Sequence, residues 1–137
     1  MPRVAPITGK SDVPAEHHGV VDAVLKVFGR VGGPYSVLLH SPKLAERVLN
    51  LGGFYREESI VAPKDRSLAI LVAARERQGA YVWAAQVNAA RRACLREEAI
   101  DLIRAKADSA KFPVEEREIV IYAQQLLTNK RVDQAAF

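Results

Sequence analysis

The chain has 137 residues, 20 basic against 16 acidic side chains, a net charge of +4, and a composition that is 49% hydrophobic and 26% charged. That composition belongs to a globular chain long enough to bury a real core, and it excludes intrinsic disorder for the bulk of the sequence. A single cysteine excludes an intrachain disulfide framework and any Cys-x-x-Cys redox or zinc motif. The lack of a long apolar run or an apolar leader leads to the expectation of a cytoplasmic location, with no membrane partner.

The sequence divides into an irregular N-terminal arm over residues 1–15, marked by Pro2, Pro6, Gly9 and Pro14, and a single helical domain over residues 16–137. The arm reads as a segment draped over a partner. A helical period begins at Val20, with Val24, Val27 and Phe28 on the same face. Gly29, Gly32, Gly33 and Pro34 break it. Ser41-Pro42 is a helix start, with Ser at the N-cap and Pro in the first turn, and Leu44, Val48, Leu51 and Tyr55 continue as its apolar stripe.

Pro63 opens the next helix, with Asp65 in the first turn where a negative charge suits the helix dipole. Its stretch Leu68 to Ala74 is apolar all round, as in a helix buried in a core or between subunits. Gly79 reads as its stop. A helix rich in small residues follows from Tyr81 to Ala93, then one with Leu95, Ala99, Leu102 and Ile103 on its core face. Pro113 starts the last long helix, whose core face holds Ile119, Ala123, Leu126 and Leu127; Ile119-Val120-Ile121 is β-prone but lies inside the helical window. The expectation is an all-α fold of about five to seven helices with no strand pattern. After Asn129-Lys130-Arg131, residues 132–137 read as the opening of a helix with Asp133 at its N-cap. That opening is either a frayed tail, or a sign that the chain is truncated or completed by another polypeptide.

The stretch SLAILVAARERQGAYVWAAQVNAARRACLREEAIDLI, Ser67 to Ile103, resembles the carboxymuconolactone decarboxylase family, within the alkylhydroperoxidase D-like all-helical superfamily. Gly29 to Ser59 and Pro113 to Val132 are similar to the same family. The resemblance implies an alkylhydroperoxidase D-like helical domain, here without the family's C-terminal helices, and assembly into a homo-oligomer, a trimer or hexamer. The peroxidase branch uses a Cys-x-x-Cys pair, a His one turn past the second Cys and a Glu upstream of the first. The decarboxylase-like branch keeps a pattern like Tyr-Glu-Trp-x-x-His, in which acid and imidazole share a proton.

The matching segment here is Tyr81-Val82-Trp83-Ala84-Ala85-Gln86. The aromatics remain, but Val82 stands at the acid and second-Cys position, Gln86 at the imidazole, Gly79 at the first Cys and Ser67 at the upstream Glu. None of these four transfers a proton near neutral pH. The family implies carboxy-lyase or alkylhydroperoxidase activity, whereas these substitutions point to lost or altered acid/base chemistry. The expected function is the binding of a small, partly apolar ligand in a pocket of Ser67, Gly79, Tyr81, Val82, Trp83 and Gln86. Alternatives are an active carboxy-lyase or peroxidase using non-standard residues such as His40, Tyr81 or Cys94, and a structural subunit of a larger helical oligomer with a second polypeptide.

Of the weak catalytic candidates, Cys94 reads as a buried inert thiol at a helix end where Gly is usual, its reactive alternative resting on Arg91 and Arg92. His40 reads as a local hydrogen-bonding residue at a helix corner. His17 and His18 point about 100° apart on a helix and do not chelate one ion, so no metal and no cofactor are expected. Arg91, Arg92 and Arg96 are followed at once by Glu97 and Glu98, which argues against a nucleic-acid partner. Arg75-Glu76-Arg77 and Glu115 to Glu118 read as solvated helix faces or intersubunit ion pairs.

Overall fold

The computed structural model describes residues 3–136, which form seven α-helices and four short 3₁₀ turns with no strand among them. Met1, Pro2 and Phe137, at the outer ends of the arm and domain expected above, lie outside the described residues. The chain falls into two compact units, Met1–Ser59 and Ile60–Phe137.

The first unit contains α1 (His18–Phe28), α2 (Tyr35–Leu38) and α3 (Pro42–Glu57). Gly29 ends α1 in the left-handed conformation, φ 71°, which costs a glycine little. The arm carries two 3₁₀ turns, Lys10–Asp12 and Ala15–His17, and lies over its own helices. Ile7 and Val13 are buried with Val21, Leu39 and Ala45, and the Ile7 amide donates to the Ser36 carbonyl at 2.8 Å. The Asp12 carboxylate accepts from the amide and hydroxyl of Thr8, which hold its pKa below the usual range.

The apolar stripe of α3 differs from the expected one. Leu44, Leu51 and Tyr55 are more than half exposed, and the buried positions are Ala45 and Leu49. The small Ala45 side chain joins Val21 and Leu39, while Leu49 joins Val24 and Tyr35, so the helix turns its thinner face inward. In α1, Val21 and Val24 carry the core, and Val27 and Phe28 are partly exposed.

The second unit is built around α4 (Pro63–Glu76), which packs against α5 (Ala80–Arg92), α6 (Glu97–Arg104) and α7 (Val114–Thr128). Every residue from Leu68 to Ala74 is buried or half-buried, as the apolar run requires. Its core joins Leu68, Leu71 and Val72 to Ala90, Ile100 and Val120. Leu95, Ala99 and Ile103 are buried as expected, whereas Leu126 is 48% exposed and Val120 takes its place in the core.

The stop of α4 is one residue earlier than expected. Gln78, φ 54°, is the left-handed residue, and Gly79, at φ −79°, already serves as the N-cap of α5. The Gly79 amide donates back to the Ala74 carbonyl at 2.8 Å and closes the turn. Cys94 (φ 60°) and Lys106 (φ 51°) end α5 and α6 in the same way.

Most residues of the charged runs tie the unit together, while Glu115 and Glu118 are exposed. Arg75 Nε donates to the Arg104 carbonyl at 2.9 Å, and Arg77 Nη2 to the Leu127 carbonyl at 2.8 Å, capping the ends of α6 and α7. Glu76 pairs with Lys106 at 3.3 Å. In the run from Glu115 to Glu118, Glu116 is buried and paired with Arg96, and Arg117 donates to the Ala110 and Phe112 carbonyls. At the C-terminal end, Asp133 accepts from Gln125 Nε2 at 3.0 Å, and a single 3₁₀ turn, Gln134–Ala136, follows it.

Candidate functional site

The residues expected at the family's catalytic pattern sit at the start of α5 and on α4, two helices packed against each other. Gly79 caps α5, and the Trp83 amide donates to its carbonyl at 2.8 Å, so Tyr81, Val82 and Trp83 make the first turn. Gln86 follows one turn after Val82. That is the spacing at which an acid and an imidazole would face each other.

Tyr81 is 69% exposed and Val82 45% exposed, while Trp83 is half-buried against the core. The Arg104 guanidinium lies 5.8 Å above the Trp83 ring and also bonds Asp101. A Cβ at Gly79 would lie 3.5 Å from the Ala74 carbonyl oxygen and 3.7 Å from the Val82 Cβ, ordinary contact distances. Sterically, therefore, position 79 accepts a small side chain. Ser67, half-buried on α4 beside the fully buried Leu68, offers a hydroxyl. Val82 has no proton to give or take, and Ser67 and Gln86 supply neutral donors and acceptors only.

Cys94 is exposed, contrary to the buried thiol expected. Its left-handed backbone at the helix end places it on the turn, outside the core. It lies twelve residues after Val82, about 18 Å along the helix axis. Arg91, three residues before it, is engaged by Glu97 at 2.6 and 3.0 Å, which raises the Arg91 pKa and lowers that of Glu97.

His40 belongs to the first unit, exposed at the corner between α2 and α3, with Nε2 2.8 Å from the Ala5 carbonyl. His18 Nε2 lies 3.1 Å from the Val13 carbonyl, and His17 is 3.7 Å from Glu16. The two imidazoles thus face different groups, and no cluster of three or more metal-ligating side chains occurs among the described residues. No helix among them is long and apolar enough to cross a membrane.

One feature escaped the sequence reading. A groove of about 730 Å³ runs between α1 and α3, lined among others by Lys26, Asn50, Phe54 and Arg56. Its sequence signal is the pair Gly52-Gly53 inside an otherwise unbroken helical pattern.

A model of the carboxymuconolactone decarboxylase family matches residues 42–125, more than half of the chain. No curated protein and no solved structure matches it.

Proposed function

This chain belongs to the carboxymuconolactone decarboxylase family, and on that premise we propose that it binds a small, partly apolar ligand at the start of α5 without the family's acid/base chemistry. The observation that carries the reading is the set Ser67, Gly79, Val82 and Gln86, where four ionisable positions are filled by groups that do not titrate usefully near neutral pH. Loss of a single general acid or base typically removes about 10²–10⁴-fold in rate, and here the whole relay is replaced. Tyr81 and Trp83 keep the aromatic lining, Val82 makes it more apolar, and Ser67 and Gln86 provide the few polar groups that fix a ligand's orientation.

Assembly with further copies of the chain, as a trimer or hexamer, is part of the same proposal. Large apolar side chains stand exposed on α5 (Tyr81, Val82) and α7 (Val114, Tyr122, Leu126), a pattern that favours an interface. A cytoplasmic setting fits this reading. Native mass spectrometry of the protein taken gently from its own cells tests both parts. A homo-oligomer that retains a small molecule supports the proposal. A ligand-free monomer contradicts it, and a complex with a different polypeptide shifts the assignment to a structural subunit.

A further inference from the structure

Arg56 is oriented without an anion. Its guanidinium carbon lies 5.3 Å above the Phe28 ring, and that ring packs at 5.1 Å on Tyr35, which is buried. Gly52 stands one turn earlier on α3, where a Cβ would come within 3.0 Å of Arg56 Nη1. A side chain here would push the tip of the guanidinium aside by a few tenths of an ångström, and glycine leaves it room against the helix. The ring and its neighbouring tyrosine thus orient the exposed fork, with room left by Gly52, yet no carboxylate among the described residues pairs with it. Lys26, on α1 across the same groove, is also without an ion-pair partner among them.

A guanidinium fork matches a carboxylate in a two-pronged geometry, and one held in place beforehand loses less freedom on binding. The groove's volume of about 730 Å³ falls in the range of small-molecule sites. Val27, Leu49 and Phe54 supply its apolar wall, and Asn50 a neutral hydrogen-bonding group. We propose that the α1–α3 groove binds a small organic acid with one carboxylate and an apolar body. The carboxylate lies on Arg56 and Lys26, the body against Val27 and Phe54. Glu57 and Glu58 also line the groove. Their charge disfavours a second negative group and limits the ligand to a monoanion. The site is separate from the one proposed at the start of α5, and either can fail without the other.

The test is an NMR titration of the full chain with 3-phenylpropanoate, set against neutral 3-phenylpropanamide and cationic 3-phenylpropylamine. The proposal predicts saturable shifts centred on Asn50, Gly53 and Phe54, with the acid binding at least about tenfold tighter than the amide or the amine. Arg56→Gln and Gly52→Ala should each weaken the acid by at least about fivefold. Gly52→Ala keeps every charge and favours the helix, so a loss of binding there is not a loss of folding. Amide or amine binding as well as the acid would overturn the proposal. So would an absence of saturable shifts, shifts centred elsewhere, or indifference to both substitutions.

Discussion

Arg96 and Glu116 form a two-pronged ion pair, Nε to Oε1 at 3.1 Å and Nη2 to Oε2 at 2.7 Å, with the carboxylate almost wholly buried. Arg96 is the N-cap residue of α6 and Glu116 lies in the first turn of α7, so the pair joins the starts of two helices. A further bond from Arg96 Nη1 to Glu98 at 2.6 Å holds the guanidinium in place, and the hydrogen bonds it donates to Glu116 raise the Arg96 pKa.

Removing the cation strands a buried carboxylate. Arg96→Met should therefore cost about 2 kcal/mol, below the full value for a wholly buried pair because the Arg96 side chain is 39% exposed. The double variant Arg96→Met/Glu116→Leu should recover most of that loss, since no charge is then left buried. Urea midpoints of the wild type, both single variants and the double variant measure the coupling.

Burial pushes the Tyr35 phenol above its ordinary value of 10.0, with the charge of Arg56 pulling the other way. The folded chain thus keeps this proton to higher pH than the unfolded chain. Its contribution is intact below the unfolded value and is lost as pH rises through the folded one. Stability should fall above about pH 10, and Tyr35→Phe should flatten that fall while changing little at neutral pH. Urea midpoints at neutral and alkaline pH check this; an equal alkaline loss in both proteins would contradict it.

Gln78 sits at φ 54°, a conformation that strains a residue with a Cβ. Gln78→Gly should stabilise the chain by about 0.5–1 kcal/mol, read as a rise in Tm. At Gly79, where φ is negative and a Cβ has room, substitution by Ala should be tolerated.

The two leucines of α3 separate the observed core from the stripe expected from periodicity. Leu49 is 7% exposed and Leu51 58%. Leu49→Ala should cost about 2 kcal/mol or more, and Leu51→Ala less than about 0.5 kcal/mol in the isolated chain.

That contrast also explains what the sequence made legible. Proline starts at Pro42 and Pro63, and the uniformly apolar run Leu68 to Ala74, have local causes, and the helices appear where those signals stand. The inward face of α3 has no local cause, because two apolar stripes compete along it and the tertiary neighbours Val21, Val24 and Leu39 select the thinner one. Burial of Glu116 was hidden for the same reason, since its partner lies twenty residues earlier in the chain. At the candidate site, the substitutions proposed at Ser67, Gly79, Val82 and Gln86 rest on the pattern around Tyr81 and Trp83 alone. The oriented Arg56 was not legible, because Phe28 and Tyr35 meet it only in the folded unit, although Gly52, one turn before it, is a local feature.

We propose that this family member has lost its acid/base chemistry. The most direct test is a steady-state assay of lactone decarboxylation and of hydroperoxide reduction, with the unmodified chain beside Val82→Glu/Gln86→His. No turnover above the uncatalysed rate is expected for the unmodified chain, with any recovered activity appearing in the double variant. Turnover of either substrate at an enzymatic rate by the unmodified chain would contradict it.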